Sequence, residues 1–161
     1  MLQLPGNLDN QIERQPPETR HESPPSHATA PGVFLACPLH GTGVRLVHYA
    51  HKATAAPHDT LTYSAWVIND SGEVLTDVTL VLRSFTNAGL EELSYATGPS
   101  ALSFGPMPAG GETELVFTYV VTENDQSHAG ELISAMAVQA VTASGTRHWD
   151  EHDAITPISF P

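Results

Sequence analysis

The sequence predicts an all-β fold, two antiparallel sheets packed as a sandwich of seven to eight strands and preceded by an extended proline-rich N-terminal arm. Three observations carry this prediction. Apolar and polar residues alternate with a period of two in Leu61–Ile68, Leu75–Phe85 and Thr113–Thr122, the period of a half-buried strand. Turn-forming clusters such as Asn69-Asp70-Ser71-Gly72, Asn87-Ala88-Gly89 and Ser144-Gly145 separate these runs at short intervals. No stretch keeps the periodicity of an amphipathic helix, and short strands so spaced are the pattern of a two-sheet sandwich.

In chain order, residues 1–32 contain six of the thirteen prolines and almost no aliphatic side chain after Ile12. Such a segment buries too little apolar surface to offset its ordering entropy, so it is expected to be an arm distinct from a domain over 33–161. Val33–Cys37, stopped by Pro38, has the form of a first edge strand, and Val44–His51 resumes extended character. After Pro57 comes the strand in which Leu61, Tyr63, Ala65 and Val67 share the inward face and Thr62, Ser64, Trp66 and Ile68 the outward one. In the next strand Val78, Leu80 and Leu82 are expected inward. Leu93 and Tyr95 mark a weaker strand ending at Gly98-Pro99, and the proline- and glycine-rich 102–112 is a crossing loop. Thr113–Thr122 reads as a second central strand with Leu115, Phe117, Tyr119 and Val121 inward, followed by a polar turn over 123–130 with room for one helical turn. Ala and Met in Glu131–Ala143 favour helix, but Val138, Val141 and Thr142 favour strand. Thr146–Phe160 is a last edge strand, solvated and acidic, whose charges deter pairing with a foreign strand.

The chain has 161 residues, enough for one domain with a core, and 18 acidic against 6 basic residues give a net charge of −12. That balance repels phosphate backbones and anionic headgroups, so neither nucleic acid nor membrane is an expected partner. Cys37 is the single cysteine, so no intrachain disulfide staples the fold. The first ten residues lack the basic start and apolar run of a secretory signal, and no segment reaches the roughly 20 apolar residues of a membrane span. The expected location is cytoplasmic or on the surface of a particle.

Several segments together resemble one family. Leu61–Leu80, with its Tyr63, its Asn69–Gly72 turn and Asp77-Val78, resembles the corresponding strand–turn–strand segment of bacterial Ig-like conserved-repeat and CARDB-type domains. Met107–Thr113 resembles their loop before the sixth strand, Phe117–Asp125 with Gly130 their tyrosine corner, and Asp150–Ala154 their closing acidic strand. Ala135 stands where the family often has Asn. The resemblance implies an Ig-like sandwich used for spacing, adhesion or assembly, with no catalytic residues to carry over.

Residues able to carry chemistry are few. Cys37, His40, His48 and His51 are zinc-ligand types, but a lone thiolate falls short of a structural knuckle, and His48 and His51 would face opposite sides of a strand. They read as edge-strand or surface histidines. His148, Asp150 and His152 share one strand face, with too few oxygen ligands at turn spacing for calcium. Neither a Gly-x-Ser-x-Gly elbow nor a phosphate-cradling glycine loop occurs. The expectation is no catalytic residue, no metal and no cofactor.

What remains is a non-enzymatic interaction module, an Ig-like knob docked by its arm on a larger protein assembly such as a phage or phage-like capsid, tail or similar shell. Leu2, Leu4, Leu8 and Ile12 are the apolar anchors ahead of Pro16-Pro17, so they are expected to make the contact, with 16–31 as spacer. Trp66 is the candidate exposed aromatic. The alternative is a carbohydrate- or metal-binding or adhesion module of a bacterial envelope or regulatory system. Oligomeric state is open at this level.

Overall fold

A computed structural model describes residues 43–159; the arm, the strand expected at Val33–Cys37 and the final two residues lie outside the described residues. The strands are β1 (Val44–Ala50), β2 (Thr60–Asn69), β3 (Leu75–Thr86), β4 (Ser103–Phe104), β5 (Glu112–Val120), β6 (Glu131–Thr142) and β7 (Arg147–Pro157), with one short helix, α1 (Glu123–Ser127), between β5 and β6. They form a three-stranded sheet, β1-β2-β5, and a four-stranded sheet, β4-β3-β6-β7, with every strand pair antiparallel. This is an Ig-like two-sheet sandwich.

The core follows from the alternation. Leu61, Tyr63, Ala65 and Val67 of β2 are fully buried, as are Leu75, Val78 and Leu80 of β3 and Leu132, Met136 and Val138 of β6. Tyr63 sits at the centre of an aromatic cluster, edge-on to Phe85 and to Tyr95 at 5.7 Å, while Phe85 meets Tyr119 edge-on at 4.8 Å. These are the offset and perpendicular arrangements that aromatic rings favour. The segment over 131–142 is a strand and not a helix, because the alternation of Leu132, Ser134, Met136, Val138 and Ala140 on the buried face fits only a period of two.

Three expectations are corrected. Leu82 is 44% exposed, because a bulge between Leu82 and Ser84 inserts Arg83 and reverses the phase, so that Phe85 takes the inward position. Leu93 and Tyr95 form no regular strand. That segment splits its hydrogen bonds between sheets, Leu93 N–H donating to Phe85 O on β3 and Ala96 N–H to Thr118 O on β5, so it runs along neither. Tyr95 nevertheless turns its ring into the core and stacks on Phe85 at 4.7 Å. Among the described residues Thr113–Thr122 is an edge strand rather than a central one, since β5 pairs there only with β2 within its sheet and is flanked on the other side by a single bridge at Thr97.

Two buried polar residues lock connections. Asn69, at the end of β2, donates from Nδ2 to the carbonyls of Glu73, Met107 and Pro108 and accepts from Ser71 N–H and Oγ, tying the β2–β3 turn to the loop before β5. Asp125 closes a capping box with Thr122 at the start of α1 and also accepts from Tyr119 Oη at 2.7 Å and Asn87 Nδ2 at 3.1 Å. Burial by itself raises the Asp125 pKa, but the Thr122 N–H, the Tyr119 and Thr122 hydroxyls and the Asn87 amide outweigh it and hold the carboxyl below its ordinary value.

Candidate functional site

The interior is fully committed to the fold. His48, on β1, is 1% exposed and therefore a core histidine, not the surface one its sequence context suggests. Its Nδ1 lies 3.0 Å from Ser64 O, a pure acceptor, so Nδ1 carries the proton and Nε2 accepts from Ser134 Oγ at 2.7 Å. Ser134 Oγ in turn accepts from the Tyr95 hydroxyl. The serine beside this imidazole is fully buried, and a backbone carbonyl stands where a nucleophilic triad would place a carboxylate. Burial lowers the His48 pKa, opposed by the bond to Ser64, and raises that of Tyr95. A groove of about 430 Å³ opens above Tyr95 and Ser134, between 92–102 and the bulge of β3. Among the described residues no buried side-chain nitrogen or oxygen lacks a partner, so no orphaned group points into it.

The face of β7 anticipated as a solvated acidic strip is structural instead. Asp150 is 2% exposed and its Oδ2 accepts from Leu46 N–H at 2.8 Å, while His152 Nδ1 accepts from His48 N–H at 2.6 Å. Among the described residues β1 is the edge of one sheet and β7 of the other, so these side chains stand in for a neighbouring strand and close that side of the sandwich. His148 lies farther along, its ring against Gly43, where a Cβ would approach to 2.7 Å and where φ is +119°. Among the described residues no group of three or more His, Cys, Asp or Glu is placed to hold a metal ion. Cys37 and His40 lie outside the described residues, as do Leu2, Leu4, Leu8 and Ile12.

Among the described residues the surfaces left open are the outer faces of the sheets. On the three-stranded sheet the cross-strand rows are Arg45, Ile68 and Glu112; Val47, Trp66 and Glu114; and Tyr49, Ser64 and Val116. Trp66 is half-buried between its neighbours, whereas Tyr49, Val116 and Val120 are each more than 40% exposed. Ser64, fully buried beneath them, accepts from His51 Nε2 at 2.7 Å and donates to Glu114 Oε1 at 2.5 Å. With its proton committed to a carboxylate, this hydroxyl fixes His51 and Glu114 around the apolar strip, and Tyr49 stacks on the His51 ring at 5.4 Å. The four-stranded sheet exposes Trp149 and, three rows away, the cross-strand pair Ile133 and Ile155, which sequence reasoning missed. Trp149 was legible as an outward residue one position from Asp150, but the acidic residues around it drew the reading toward a solvated edge.

No protein-family model and no curated protein sequence matches the chain. Among solved structures, it is similar to a PapD-like domain of human CEP192, with 12% identity, a TM-score of 0.48 and coverage of 75% of this chain and 88% of that one. It is also similar to the collagen-binding subdomain of the Enterococcus faecalis surface protein ACE, with 15% identity, a TM-score of 0.43 and coverage of 70% and 95%. A third similarity is to the sporulation control protein Spo0M of Bacillus subtilis, with 17% identity, a TM-score of 0.39 and coverage of 74% and 50%.

Proposed function

We propose that this chain is a non-enzymatic interaction module, a knob that docks on a larger protein assembly through its N-terminal arm and the outer face of its three-stranded sheet. The observation that carries the reading is the strip of Tyr49, Val47, Trp66, Ile68 and Val116 on that face, apolar residues turned away from a core that is already complete. Glu112 and Glu114 rim the strip, Asp70 being already paired with Arg45, and the whole chain carries −12, so the complementary partner is a protein surface with an apolar centre and a lysine- or arginine-rich border. Leu2, Leu4, Leu8 and Ile12 supply further anchors, and prolines with fixed φ lose less entropy on docking than an ordinary tail. The segments that resemble CARDB-type domains support assembly or spacing as the role, and a multimeric shell such as a capsid or tail is the kind of partner that a short acidic knob with a tether suits.

Co-sedimentation with particle fractions of the source tests this. The intact chain is expected in the pellet; a chain beginning at Pro31, or one carrying Trp66→Asp, is expected to lose most of that binding while keeping its fold. An intact chain that stays in the supernatant contradicts the reading, and a truncated chain that pellets as well as the intact one removes the arm from it.

A further inference from the structure

We propose that the outer face of the four-stranded sheet binds a neutral oligosaccharide, with one pyranose ring stacked on Trp149 and its neighbours in the hollows on either side. The surface is distinct from the protein-docking face, being on the opposite sheet. Three cross-strand rows build it: Asp77, Val141 and Arg147; Thr79, Gln139 and Trp149; Val81, Ala137 and Glu151. The indole is 46% exposed in the middle row. Ala137 in the neighbouring row is too small to fill the space beside it, leaving a hollow of about 230 Å³, and a second of about 390 Å³ opens on the Asp77 and Arg147 side. Rows two residues apart along a strand are separated by about 6.8 Å, so the three rows span about 14 Å, the length of a short oligosaccharide rather than of one ring.

The chemistry of the lining selects the ligand. A flat indole offers a π-face to the apolar C–H face of a sugar ring. Around it, Asp77, Gln139 and Arg147 make no side-chain hydrogen bond or ion pair among the described residues. They present acceptors, donors and, in Gln139, both at once, the set that vicinal hydroxyls require. The centre of a protein-docking patch is depleted of such uncommitted charged groups, which argues for a hydroxyl-rich ligand here. Arg83 paired with Glu151 bounds the far end and leaves no net positive charge there, and the −12 of the chain disfavours anionic sugars.

Native electrophoresis of the full chain through gels containing xyloglucan, galactomannan or mixed-linkage β-glucan, with alginate as the anionic counterpart, tests the assignment. Retardation by at least one neutral polysaccharide is expected. It should vanish in Trp149→Ala, persist in Trp66→Phe and weaken about tenfold in Gln139→Ala, the loss of one or two hydrogen bonds. Trp149 and Gln139 are both outward on the sheet, so either variant serves if the other proves unstable. Unchanged mobility in all three neutral gels, retardation by alginate alone, or undiminished binding in both Trp149→Ala and Gln139→Ala overturns it.

Discussion

At the scale of single residues, His48 and Asp125 show how burial and hydrogen bonding turn titratable groups into conditional parts of the core. The folded-state pKa of His48 is pushed below its ordinary 6.5, chiefly by desolvation, with His152 adding to the lowering while Ser64 O and Asp153 oppose it. Unfolded chain therefore takes up a proton more readily than folded chain. The stability from neutral His48 is complete above about pH 6.5 and erodes as pH falls below it. Melting temperature should drop between about pH 7.5 and 5.5, and by less in His48→Gln; equal drops would show that His48 is not the group responsible. Asp125 acts lower on the scale. Its folded pKa lies below 3.8, so its contribution is present above that value and is lost as pH falls through the folded one. Asp125→Ala should cost about 3 kcal/mol in urea unfolding at neutral pH and shrink the acid limb of the stability curve. The capping role of Asp125 was missed although Thr122-x-x-Asp125 has the spacing of a capping box, and the burial of His48 left no local signal, because its partners Ser64 and Ser134 are distant in sequence and on different strands.

At the scale of elements, the closure of β1 against β7 is the feature with the most direct energetic consequence. Asp150→Ala removes the acceptors of the Leu46 and Glu151 N–H groups and should cost about 1–3 kcal/mol, while Asp150→Asn, which keeps one of the two accepting oxygens, should cost less. Urea denaturation of the two variants separates these outcomes; equal costs would show that a single accepting oxygen does not preserve the closure. The two faces of β2 make a second comparison. Tyr63→Ala should cost about 3–5 kcal/mol as a buried aromatic truncation, and Trp66→Ala less, because its side chain is only half covered. Strand positions were legible from alternation because each sheet has one face on the core. The bulge of β3 was visible only as a broken phase, Leu80 and Phe85 being an odd number apart, and the crossing at 92–98 was misread because its side chains alternate like a strand while its backbone serves two sheets.

At the scale of the molecule, acidity and outward aromatics define what the domain offers a partner. A docking face rimmed by Glu112 and Glu114 against a basic border should bind more weakly as salt rises, with the change mostly in association rate; binding indifferent to salt would contradict the charge complementarity. Sheet architecture could be read from sequence because it rests on local periodicity and turn chemistry. The surfaces could not, since a face becomes a surface only when register aligns Val47 with Trp66, or Gln139 with Trp149. Hydroxyl-radical footprinting of the chain bound to its particle tests the central claim most directly. The account predicts protection of Tyr49, Trp66 and Val116, and of Leu2, Leu4, Leu8 and Ile12, with Trp149 still reactive. Protection of Trp149 with Tyr49 and Trp66 left reactive would contradict it.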